Sequence, residues 1–152
     1  MEDMKGMKNG YVSLAVQTAV SGVIMYLVMF VMIDGLGSFY NNLNMVYMTL
    51  MMAAPMTMMV IAMKDMFPST RANVAILAVS VLVFVGSFAL IRTQTTIGDT
   101  AFLRSMIPHH SGAILMCEKA KLQDPEVKRL CEGIIKSQRN EINEMKAILR
   151  RM

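Results

Sequence analysis

Three long stretches without a charged side chain, followed by a stretch in which apolar residues recur at helical spacing among polar ones, organise this chain. The uncharged stretches cover residues 11–33, 43–63 and 73–91. Each is close to the ~20 residues that an α-helix, rising about 1.5 Å per residue, needs to cross a hydrocarbon core of about 30 Å. All three are read as transmembrane helices. Pro55 lies inside the second, and at membrane depth a proline kinks a helix rather than excluding it. The third is rich in Leu and β-branched residues and ends at Arg92. The first follows Lys5 and Lys8, as a signal peptide would, but it exceeds the usual apolar region of roughly 7–15 residues and lacks a small-x-small site before Asp34. It is expected to be retained.

After Arg92 the period changes. Phe102, Leu103, Met106, His110, Ala113, Cys117 and Ala120 recur at steps of three and four, which predicts one amphipathic helix over about 99–122, kinked at Pro108 and capped by Asp99. Gln123-Asp124-Pro125-Glu126 then stops and restarts the helix: Asp124 caps, Pro125 takes the first helical position, and Glu126 suits the positive dipole end. The second helix runs from Pro125 to about Arg150. Its expected inner stripe is Val127, Leu130, Cys131, Ile134, Gln138, Ile142, Met145 and Leu149. A hairpin folded about Asp124 sets Cys117 opposite Cys131 and His110 opposite Gln138. Met106 and His109 then fall near the level of Glu141, Ile142 and Met145.

The fold class is therefore all-α, with residues 1–95 as a three-span membrane anchor and residues 96–152 as a helical hairpin domain. Two helices bury too little surface to be stable alone. A homodimer through 96–152, closing a four-helix bundle, is the expected remedy.

Composition agrees with this division. Hydrophobic residues make up 55% of the chain and charged ones 17%, against roughly 25% charged in an average soluble domain. Residues 92–152 hold 11 of the 15 basic and 7 of the 11 acidic residues, so the whole net charge of +4 sits in the tail. The signs are mixed and no binding motif appears, which argues against nucleic acid as a partner. Loop 34–44 has no Lys or Arg, whereas Lys5 and Lys8 precede the first span and Lys64 and Arg71 lie in the second loop. The positive-inside rule then puts the N-terminus in the cytoplasm and, after three spans, the tail outside. Most of the tail's own basic residues lie far from the membrane end, where that rule weakens.

Methionine is over-used: 19 of 152 residues, nine of them from Met45 to Met66. Met45, Met48, Met52, Met56, Met59, Met63 and Met66 form one helical stripe, and Met25, Met29 and Met32 a shorter one. Such a stripe reads either as adaptable packing against helices and lipid or as a thioether ladder that would conduct a soft ion such as Cu(I).

The tail carries the remaining chemistry. His109 and His110 are the chain's two histidines. Adjacent helical residues point about 100° apart, so the two do not share a face. Two candidate ligand rows result, Met106–His110–Cys117 and Met106–His109–Met116, and imidazole with sulfur suits copper better than calcium or magnesium. The competing reading is a hydrogen-bonded core histidine. Cys117 and Cys131 would form a disulfide in an oxidising compartment, or bind Cu(I) or Zn(II) as thiols. Without a Cys-x-x-Cys a structural zinc site has little support, and without a Glu-x-x-His neither does a bundle di-iron site. Glu141 can support a histidine from behind. No nucleophile–base pair, phosphate loop or paired acid site is recognisable, so enzyme activity is not expected.

The run Asp99…Phe102-Leu103…Met106-Ile107-Pro108-His109-His110-Ser111-Gly112-Ala113-Ile114…Met116-Cys117, then Asp124-Pro125-Glu126…Leu130 and Gln138…Glu141-Ile142…Met145, resembles the DUF305 family over about residues 96–150. Members pack as ferritin-like helical proteins and include periplasmic copper-binding proteins of the CopM type. The three spans resemble a membrane-anchored branch. The resemblance implies copper binding, with Met106, His109, His110, Met116 and Met145 as the matching ligands. Two functional expectations follow: a membrane-anchored protein that binds Cu(I) outside the cytoplasm for resistance or buffering, and a metal-free helical assembly module. The full candidate set is Met106, His109, His110, Met116, Cys117 and Met145, with Cys131, Gln138 and Glu141 in supporting positions.

Overall fold

The computed structural model describes residues 2–63 and 67–152, and the side chains of residues 10–63 and 67–152. Five α-helices make up the described chain: α1 (Glu2–Val28), α2 (Leu43–Ile61), α3 (Thr70–Thr93), α4 (Asp99–Lys119) and α5 (Pro125–Arg151), with short 3-10 turns at Met29–Met32 and Leu36–Ser38. The expected all-helical class is what the chain adopts. Lys64 and Met66 lie outside the described residues, as do the side chains of Lys5 and Lys8.

Three helical segments, Gly10–Met32, Leu43–Ile61 and Thr70–Thr93, are long and apolar enough to cross a membrane. Their large side chains stay exposed in the packed chain: Val31 is 72% exposed, Leu82 71% and Met59 74%. An apolar surface this extensive is far beyond the few hundred Å² that a soluble monomer leaves uncovered, and is compatible with lipid around it.

The chain divides into two compact units, one of residues 1–28 and 46–94 and one of residues 29–45 and 95–152. In the first, contacts between helices are made by small or polar groups. Buried Thr49, Ala53, Ala54, Ser80 and Ser87 mark the inner faces of α2 and α3. Thr18 and Thr57 meet through their hydroxyls at 3.3 Å, and Thr57 also donates to the Ala53 carbonyl at 3.0 Å beside Pro55. At one end Leu14, Ile61 and Phe67 form an apolar cluster. The Tyr11 hydroxyl there donates to Asn73 Oδ1 at 2.8 Å, and the Asn73 amide donates to the Phe67 carbonyl at 2.6 Å. Ser69 caps α3 by accepting from the Ala72 amide.

Along the methionine stripe of α2, Met48, Met52, Met59 and Met63 are exposed, and Met45 and Met56 are half-buried, so the stripe runs along the flank of the face that buries Thr49, Ala53 and Ala54.

The second unit is built on α4. Leu103, Ile107, Ile114, Ile142 and Met145 form its core, with Tyr40, Met106, Ile148 and Leu149 packed against it. Asp124 starts α5 by accepting from the Glu126 and Val127 amides at 2.8 and 3.0 Å, with Pro125 at the first position. Helix α4 runs unbroken through Pro108, as expected, but its cap is Gly98; Asp99 is already helical and makes no capping bond. Cys117 and Cys131 are joined in a disulfide with their Cα atoms 5.3 Å apart.

The segment 29–45, counted with the anchor from sequence, packs on the other side of α4. The reason is polar. The Asp34 amide donates to Ser111 Oγ at 2.7 Å, and both Ser111 and Ser38 hydroxyls donate to Asp34 Oδ1. A Cβ at Gly112 would lie 3.4 Å from the Met32 carbonyl oxygen, an ordinary contact distance that shows how closely the loop backbone passes α4. Ser111 and Gly112 are therefore buried from the side opposite to the hairpin seam.

The disulfide spans 14 residues, and a loop of that length is worth about 3 kcal/mol in chain-entropy terms. Cys131→Ser, or reductant, is expected to lower the free energy of unfolding of the hairpin by up to about that amount, read from helical circular dichroism of the full chain in detergent against denaturant.

Candidate metal centre

The inner face of α4 delivers His110 to the hairpin seam, where it is 7% exposed. Its Nδ1 lies 2.9 Å from the carbonyl oxygen of Met106, one turn earlier. A carbonyl only accepts, so Nδ1 carries a proton and donates it. Nε2 lies 2.7 Å from Glu141 Oε2 on α5. The ring is thus bonded at both nitrogens, on one side to its own helix and on the other to α5.

Glu141 is held from its own helix as well. Ser137, one turn before it, donates to Oε1 at 2.5 Å. These contacts hold the Glu141 carboxyl below its ordinary value of 4.5: the Ser137 hydrogen bond contributes most, then the His110 hydrogen bond, with partial burial opposing and the charge of His110 adding a little. Its side chain is 45% exposed, so water reaches the pair from one side.

The expected partner of His110 was Gln138, one turn nearer the bend. Side-chain direction accounts for the difference. Helical side chains lean towards their own N-terminus. In an antiparallel hairpin, His110 leans away from the bend and Glu141 leans towards it, so they meet across a turn. Gln138 is half-buried, and its Oε1 is buried without a hydrogen-bond partner.

The other candidates separate into groups. Met106 and Met145 belong to the apolar cluster of the hairpin, and the Met106 carbonyl oxygen bonds His110 Nδ1. His109 and Met116 point outward, and Met116 is 54% exposed; the two imidazoles stand edge-on with ring centres 6.0 Å apart. Cys117 and Cys131 bond to each other, so neither offers a thiolate. Among the described residues no cluster of three or more His, Cys, Asp or Glu side chains is arranged to hold a metal. Any soft-metal centre must draw on the two thioethers. The expected α5 stripe also ends early: Ile142 and Met145 are buried, while Val127 and Leu130 are exposed.

Two contributions escaped the sequence reading. Ser137 precedes Glu141 by one turn, a spacing that was available. The Asp34–Ser111 contact joins positions 77 apart, and its only local signal is an isolated acid in an otherwise uncharged loop.

These features define an all-α protein in which helices able to cross a membrane precede a disulfide-closed hairpin with a buried histidine–glutamate pair. Residues 88–149 match the model of the family described as "Domain of unknown function (DUF305)". The chain is 40% identical over 119 residues to "Uncharacterized protein L153" of Acanthamoeba polyphaga mimivirus, a match covering 76% of each chain. That alignment is about twice as long as residues 96–152, so it reaches into the apolar helices as well. The chain belongs to the DUF305 family. No solved structure matches it.

Glu141 has its folded-state value below 4.5. It therefore adds stability above the ordinary value, and that contribution is lost as pH falls through the folded value. The hairpin's unfolding midpoint is expected to drop on this acid limb in the wild type, and the drop should be smaller in Glu141→Gln. Denaturant curves at pH values from neutral to strongly acidic would check it.

Proposed function

We propose that this chain is a membrane-anchored protein whose hairpin binds copper as Cu(I) outside the cytoplasm, in resistance or buffering. The observation that carries the reading is His110. Its Nδ1–H is fixed on the Met106 carbonyl, which directs Nε2 into the seam, and this is how backbone carbonyls orient imidazole ligands. Met106 and Met145 supply thioethers in the same cluster, and thioethers with imidazole select soft ions. Nε2 is already bonded to Glu141, so a cation arriving there takes the place of that hydrogen bond. His109, Met116 and Cys117 are left out of this centre.

Sidedness has two supports. The Cys117–Cys131 disulfide suits an oxidising compartment. Residues 29–45 and 95–152 belong to one unit, and the first loop and the tail of a three-span chain emerge on the same side.

Competition titration of Cu(I) with the full chain in detergent tests the reading. His110→Ala is expected to lose at least tenfold in affinity, Met106→Leu/Met145→Leu to lose affinity with the hairpin intact, and His109→Ala to keep it. Wild-type affinity should fall as pH is lowered. Equal binding by wild type and His110→Ala would sink the proposal.

A second reading, a helical assembly module that dimerises through residues 96–152, is favoured by a different surface. Phe102 is 51% exposed, Val127 41% and Leu130 63%, and the unpartnered Gln138 Oε1 lies on the same helix as the last two. Light scattering of the detergent-solubilised chain should give a dimer that Leu130→Glu splits; a monomeric wild type removes this reading.

A further inference from the structure

A cavity of about 390 Å³ opens in the second unit between the start of α4, the end of α5 and the first loop, with Tyr40, Thr100, Arg104, Lys146, Arg150 and Met152 in its wall. Three of these six side chains are cations, and no carboxylate side chain lines it. Among the described residues, the ion pairs are His110–Glu141 and Arg139–Glu118, so neither Arg104, Lys146 nor Arg150 has a carboxylate partner. Asp99 neighbours Thr100 in the chain but is not part of the wall.

The ordinary explanation of a basic residue here covers only Arg150. It sits in the last turn of α5, where a cation complements the helix dipole. Arg104 and Lys146 lie well inside α4 and α5. Lys146 is half-buried, and its ammonium lies 3.8 Å from where a Cβ would stand on Gly37, so it is tucked against the first loop. Three cations share this concavity, and an anion within it would be attracted by all three. Arginine adds a planar fork of donors that matches phosphate oxygens, and α4 begins beside the cavity at a cap with no side-chain acceptor. The volume lies at the lower end of small-molecule sites, about 300–1,000 Å³.

Chain connectivity says where this cavity stands. Tyr40 is three residues before the start of α2, and Thr100 is seven after the end of α3. At no more than about 3.6 Å per residue, the connections allow at most about 11 Å from Tyr40 to α2 and about 25 Å from α3 to Thr100, two helices long and apolar enough to cross a membrane. We propose that the cavity is a phosphate site that takes the headgroup of an anionic phospholipid at the membrane face. This rests on reading the apolar helices as an anchor, and it is independent of the copper centre.

Native mass spectrometry of the full chain, released from detergent with dioctanoyl phosphatidylglycerol, dioctanoyl phosphatidylcholine or inorganic phosphate, tests the site. Wild type is expected to retain phosphatidylglycerol at least tenfold better than phosphatidylcholine. Arg104→Gln/Lys146→Gln should bring the two lipids level while its helical content and disulfide are unchanged. Inorganic phosphate binding as tightly as phosphatidylglycerol would keep the phosphate site and overturn the lipid as its occupant. No preference in wild type, or a preference undiminished in the double variant, overturns the site. Resistance of the variants to alkaline extraction from membranes reports the anchor separately, so failure of one is distinguishable from failure of the other.

Discussion

Helix α4 is covered on two sides, and the second unit depends on that. One face closes the hairpin through Leu103, Ile107 and Ile114. The opposite face takes the first loop through Ser111 and Gly112. A helix buried twice cannot spread its polar groups freely, and each one it carries needs a partner. Ser111, with no exposed surface, finds Asp34. His110 finds Met106 and Glu141. The polar contacts at Ser111 and His110 are thus the consequence of burying those two positions of an otherwise amphipathic helix. Apolar burial alone would leave the register loose; these directional bonds select one.

The periodic parts of this organisation were legible in the residues. Uncharged runs of about twenty residues locate the apolar helices to within a few positions. Asp124-Pro125 locates the bend because capping and a fixed φ are local effects. Cys117 and Cys131 were expected to face each other, and they do, since both lie close to that bend. Errors grow with distance from it. His110 meets Glu141 instead of Gln138 because long side chains lean along their helices, a displacement that counting residues ignores. The exposure of Val127 and Leu130 has another origin: the apolar stripe continues to the bend, but the partner helix ends at Lys119. Nothing local marks the first loop as part of the tail's unit, because its contact with α4 is made by a few side chains far apart in the chain.

The histidine pair and the cationic cavity illustrate opposite electrostatic solutions. At the seam, His110 and Glu141 bond to each other, and Ser137 completes the carboxylate. The site is closed electrically until something competes for Nε2. At the cavity, cations meet with no carboxylate side chain in the wall. The exposed bridge from Arg139 to Glu118 is a third case: it is solvated, worth little, and tells nothing about function.

The clasp between Asp34 and Ser111 also sets an order of assembly in time. Its two halves are separated by 77 positions, whereas the cysteines of the hairpin are separated by 14. Closing a short loop is entropically cheaper and faster than closing a long one. Asp34 has Ser38 beside it in the same loop, but its second hydroxyl partner, Ser111, arrives only when α4 has been made. The hairpin can close locally as soon as α5 is complete, and the loop then docks onto a surface that is already formed. The last contact to form is the one that ties the beginning of this unit to its end.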